Sequence, residues 1–150
     1  MTRPTRPLAT AALAGALLMG CGLREAVARG TATHTYQAHC DAVLPAARQA
    51  LLDRGYEPRE GGDALVVETE WRPREFASKS PALPTRDRYS AQLVPAGPSS
   101  CGLRVTRVAD GAWPTRERDL EVEWDVLRAV DPAAARHIEA GEAPGAARKR

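Results

Sequence analysis

Three cysteines, three histidines and a few neighbouring carboxylates are the residues here whose types and spacing could carry chemistry. His34, His39 and Cys40 lie close together and are donors a transition metal accepts. Their spacing matches no common zinc pattern, however, and no fourth ligand stands nearby. His34 and His39 therefore remain weak metal candidates, and the expectation is no metal and no cofactor. Glu68 and Glu70 fall on one side of a strand-like segment and could mimic an acid–base pair; alternating charges on a wet sheet face are the ordinary explanation. Ser99-Ser100 lacks the glycine-flanked elbow of a hydrolase, and no phosphate-cradling glycine loop is present. An enzyme needs a nucleophile, base or metal in a defined setting. None is evident, so the chain reads as non-catalytic.

Cys21 stands apart from the other two cysteines. It lies within Leu8 to Gly22, just after an apolar run from Leu8 to Met19 that Arg3 and Arg6 precede. That run is shorter than the roughly 20 apolar residues a spanning helix needs. A basic start, a short apolar middle and small residues at the end mark an export signal. Leu18-Met19-Gly20-Cys21 resembles the lipobox of bacterial lipoproteins. The resemblance implies cleavage before Cys21 and acylation of its thiol and new amine, palmitate-type chains holding the mature protein to a membrane. Gly22 after Cys21 implies sorting to the outer membrane, facing the periplasm. The competing site is Ala26-Val27-Ala28, which would release a soluble periplasmic protein beginning at Arg29; Arg24 and Glu25 place charge before that cut.

Loss of residues 1–20 removes two arginines and no acid, leaving 19 basic and 19 acidic residues on 130, enough for one domain. A neutral chain of this kind has no strong pull toward nucleic acid. With Cys21 lipidated, Cys40 and Cys101 remain as an even pair in an oxidising compartment, which favours a disulfide over two buried thiols.

These residues need elements to hold them. Gly22 to about His34 reads as a flexible tether and Thr35 to Ala38 as a short first strand. Val43, Leu44, Ala47, Ala50 and Leu51 recur at helical spacing across Cys40 to Arg54, with Asp41 as a cap and Gly55 as the stop. A short strand is expected at Tyr56 to Arg59. Leu65, Val67, Thr69 and Trp71 then alternate with Val66, Glu68, Glu70 and Arg72. Tyr89, Ala91 and Leu93 repeat the alternation, as do Cys101, Leu103 and Val105. The expected fold is α+β: an antiparallel sheet of three to four strands, packed on one face by two main helices. The second helix is placed at Arg116 to Val130, its stripe carrying Leu120, Trp124 and Leu127. A third follows Asp131-Pro132 to about Ala140, and residues 141–150 read as a disordered tail.

Two surfaces are candidates for a partner. The proline-rich stretch Pro73 to Thr85 carries Phe76 and Leu83, and Trp71 lies on a sheet face that is open unless helices cover it. Arg86, Arg88, Arg104 and Arg107 are placed to form a basic patch on adjacent strands, opposite Glu68 and Glu70, as a solvated face or a partner surface.

Val67-Glu68-Thr69-Glu70-Trp71, a proline-rich loop, and Asp87-Arg88-Tyr89 opening a strand resemble the small domains of BamC (NlpB) lipoproteins. The resemblance runs from about Cys40 to Ala140, together with the lipobox. It implies a helix packed on an antiparallel sheet, a second helix after it, and an accessory role in outer-membrane barrel assembly. This chain has room for one such domain where the family has two. The functional expectation is a non-catalytic envelope lipoprotein, anchored through Cys21 and binding another envelope protein. The alternative is a soluble periplasmic ligand- or metal-binding protein using His34 and His39.

Overall fold

A computed structural model describes residues 25–59, 62–74, 86–111 and 114–141. The first described element is a helix over residues 25–33, α1. It is followed by β1 (Thr35–Tyr36), α2 (Cys40–Asp53), β2 (Val66–Glu68), β3 (Arg72–Pro73), β4 (Arg86–Gly97), β5 (Ser100–Asp110), β6 (Thr115–Arg118), α3 (Leu120–Val130) and α4 (Pro132–Glu139). The fold is α+β, as the alternation and the helical stripes require. The sheet is antiparallel throughout, ordered β1-β5-β4-β2, with β3 also on β4 and β6 also on β5.

The long β4–β5 hairpin is the spine. Its core face carries Tyr89, Ala91 and Leu93 opposite Leu103, Val105 and Arg107, and the apolar members of that set are buried. α2 lays Val43, Ala47, Ala50 and Leu51 into the core on this side, and α3 adds Val122, Val126 and Leu127. α2 ends where expected, because Gly55 takes a left-handed φ of 77°. His39, rather than Asp41, is its N-terminal boundary residue, and no side chain caps it. Tyr56 to Arg59 forms an isolated bridge, Pro58 to Thr69, in place of a strand.

Two further elements differ from the sequence reading. Residues 25–33 are helical, with Gly30 and Thr31 buried and Val27 packed against the core. A Cβ on Gly30 would lie 2.7 Å from Ile138 Cγ2, so α1 sits directly on α4. The expected tether therefore does not extend to His34: one small face, built from Val27, Gly30 and Thr31, is enough to dock a short helix. The helix expected from Arg116 begins instead at Leu120. Asp119 accepts hydrogen bonds from the Glu121 and Val122 amides at 3.0 and 3.1 Å, a strong helix start, while Thr115–Arg118 pairs with β5 as an extra strand. Leu120 and Trp124 are only partly buried, and Glu123 takes a core position. Its carboxylate receives Arg118 Nε and Nη2 at 2.8 and 2.7 Å and the Val105 amide at 2.8 Å, which satisfies it away from water.

Candidate functional site

β2 and β3 share β4 as a partner, but not in one register. Glu68 faces Ser90, and uninterrupted pairing would set Trp71 against Asp87. Arg72 takes that place instead. One extra residue between Glu68 and Arg72 makes a bulge, and a shift of one residue moves each side chain to the other face. Trp71 is thereby removed from the face of Val67 and Thr69. Its ring lies 4.9 Å from the Arg86 guanidinium and 4.9 Å from that of Arg88. Each such contact contributes about 0.5–1 kcal/mol at an exposed site. Arg88 also reaches Glu68 at 3.6 Å, and Arg86 pairs with Asp110 at 3.0 Å. The described helices pack on the other face, so this face of the sheet is a polar surface, with one braced indole at the end where β4 begins and β5 finishes.

The same bulge swings Arg72 to the core side, near a polar cluster built around Asp87. Asp87 is fully buried. Its carboxylate accepts the Tyr56 hydroxyl at 2.7 Å and Arg107 through Nε at 2.8 Å and through Nη2. Arg74 Nε lies 3.5 Å away. Burial works to lower the Arg107 pKa, but the Asp87 carboxylate outweighs it and holds the guanidinium above its ordinary range. Burial, then the bond to Asp87, push the Tyr56 phenol up. Tyr89 packs edge-on against Tyr56 with ring centroids 4.7 Å apart, and donates its hydroxyl to Asp119 at 2.9 Å. Arg107 is therefore not part of one patch with Arg86 and Arg88. It points to the opposite face.

Cys40 and Cys101 form a disulfide, Cα atoms 5.1 Å apart, fastening the start of α2 to β5. Cys40 is thus not a metal ligand. His34 packs edge-on against Tyr36 at 4.7 Å and lies 3.8 Å from Asp131, whereas His39 is exposed at the head of α2. Among the described residues no group of three or more histidine, cysteine or acidic side chains could hold a metal ion. Cys21, Phe76 and Leu83 lie outside the described residues, as does the tail from residue 142. No described helix is long and apolar enough to cross a membrane.

His34 provides a pH test of this packing. Its Nε2 is buried without a hydrogen-bond partner among the described residues. Burial pushes its pKa below 6.5, with Asp131 opposing the shift. The unfolded chain takes up the proton more readily, so the His34 contribution is complete above the ordinary imidazole range and is lost as pH falls through the lowered folded value. Urea midpoints should therefore drop between pH 7 and pH 5, and less so in His34→Gln. Equal drops in both proteins would contradict the burial.

No family model, curated protein or solved structure matches this chain.

Proposed function

We propose that this chain is a non-catalytic lipoprotein of the bacterial envelope, anchored through Cys21 and binding an envelope protein through the open sheet face around Trp71. The observation that carries the binding side is the bulge at residues 69–72, which takes a tryptophan out of the core face and braces it between Arg86 and Arg88. Tryptophan and arginine are the residue types most enriched among those that dominate interface energetics. The rim around them is charged, as the borders of transient interfaces are.

The anchor reading gains support from α1. A cut after Ala28 would divide the helix over residues 25–33 and discard Val27, which packs against the core. A cut before Cys21 keeps every described residue. It also leaves only residues 22–24 between the anchor and the first described residue, a reach of at most about 14 Å. The domain would be held close to the membrane surface.

The test is site-specific crosslinking from Gln92, an exposed position on the same face, in intact envelopes. Trp71→Ala should reduce the crosslinked product by roughly tenfold, the effect of removing about 1.4 kcal/mol of binding, with the melting temperature little changed. An undiminished product would remove this face from the account.

A further inference from the structure

We propose that, in the chain anchored through Cys21, the groove between α1 and α3 is the surface by which the domain lies against the phospholipid bilayer. The contact depends on that anchor and is separate from the Trp71 face. The groove measures about 360 Å³ and is lined by Val27, Ala28 and Thr31 of α1 and Leu120 and Trp124 of α3, together with Arg54, Glu121 and Asp125.

The first support is that α3 carries more apolar side chains than the core uses. Val122, Val126 and Leu127 are fully buried. Residues two apart on a helix are turned about 200° from each other, so the row Leu120–Trp124 lies nearly opposite the row Val122–Val126. Leu120 and Trp124 are only partly buried, and Leu120 lies outside the core cluster altogether. α1 meets this row with Val27, Ala28 and Thr31, which are too small to close the groove. A tryptophan, apolar in body with one N–H to hydrate, is a side chain favoured where lipid meets water.

The second is the place of the groove relative to the anchor. At most about 14 Å of chain separates Cys21 from Glu25, and Val27 and Ala28 follow about 3 and 4.5 Å further along the helix. A tether this short makes the contact intramolecular, so an apolar patch too small to hold a bilayer by itself is sufficient. Gly30 against Ile138 holds α1 on α4, which gives the start of α1 a fixed place on the domain. α3 packs on the core face of the sheet, so contact here leaves the Trp71 face clear of the membrane. The charges on and beside the groove show no positive excess. Arg54 and Arg128 pair with Asp125 at 2.7 and 2.6 Å, Arg29 pairs with Glu25 at 2.7 Å, and Glu121 is in the lining. Anionic headgroups therefore add nothing, and the surface that fits is zwitterionic lipid.

The experiment uses the mature full chain, its acylation read first by intact mass, labelled with fluorotryptophan in phosphatidylcholine nanodiscs. The fluorine signals are assigned from Trp71→Phe, Trp113→Phe and Trp124→Phe, any two of which suffice. With phosphatidylcholine carrying a nitroxide near its carbonyl end, relaxation of the Trp124 signal should be enhanced at least fivefold more than that of Trp71. Leu120→Asp should cut this enhancement at least threefold at an unchanged melting temperature, and Ala28→Asp serves if Leu120→Asp fails to fold. Exchange of part of the lipid for phosphatidylglycerol should not raise it. Enhancement at Trp71 in place of Trp124, at neither, only with phosphatidylglycerol, or unchanged in the folded variants would overturn the proposal. A soluble gadolinium chelate adds one further test: a Trp124 signal shielded from chelate and nitroxide alike means that the chain itself or a second copy fills the groove, which also overturns it. An unacylated mature chain removes the anchor and this contact together, whereas an acylated chain that fails these measurements removes the contact alone.

Discussion

Asp87→Ala is expected to destabilise the fold by about 3 kcal/mol, the low end of the range for breaking a buried ion pair by removing one partner. Asp87 is fully buried and holds together β4, β5 and the segment after α2 through Arg107 and Tyr56. Its removal leaves the Tyr56 hydroxyl without an acceptor and Arg107 without its counter-charge. The low end applies because the Arg107 side chain is 33% exposed and regains some hydration. A second substitution, Arg107→Met, should restore part of the loss, because the lone guanidinium is then gone. Urea denaturation of the two single variants and the double variant measures the coupling. A loss below about 1 kcal/mol for Asp87→Ala, or strict additivity, would mean that the cluster does not hold the sheet together.

The second large effect lies at the disulfide. Cys40 and Cys101 are 61 residues apart, and closing a loop of that length stabilises the native state by about 4 kcal/mol when the cost is counted in the unfolded chain. The bond ties the head of α2 to β5 beside Tyr36 of β1. Replacing both cysteines by alanine should lower the urea midpoint to match. Reduction of the native protein with dithiothreitol should do the same, while adding reductant to the double variant should change nothing. A double variant as stable as the oxidised native protein would contradict this account.

Period alone decides much of the core, and that part is legible in the sequence. Over Tyr89–Leu93 of β4 and Cys101–Val105 of β5 apolar residues alternate with polar or small ones, so spacing by itself assigns Tyr89, Ala91, Leu93, Cys101, Leu103 and Val105 to the core, where all six are buried. The stripe on α2 is legible for the same reason. Trp71 shows the limit. Strict alternation from Leu65 puts it inside, and only the pairing register reveals the extra residue that turns it out. No residue between Glu68 and Arg72 is a glycine or proline that would mark the bulge.

The buried acids are hidden by their type. Asp87 and Glu123 are residues that pattern reasoning assigns to water, and what buries them is an arginine brought from another segment: Arg107 across the hairpin, and Arg118 from the end of β6. A signal is present for α3, where Asp119 before an apolar stripe is a helix start that outranks the weak periodicity of Arg116 to Asp119. For α1 the signal is faint. Alanine, glycine and threonine bury little area, and their helix is held by close approach to Ile138 rather than by bulk.

The central claim is that the chain works as an anchored protein beginning at Cys21, and the intact mass of the mature protein from isolated envelopes tests it most directly. The expected mass starts at Cys21, carries added acyl chains, and gains two hydrogens on reduction of the Cys40–Cys101 disulfide. A lipid-free mass starting at Arg29 would contradict it, because α1 would then be cut within its length and nothing would hold the domain at a membrane.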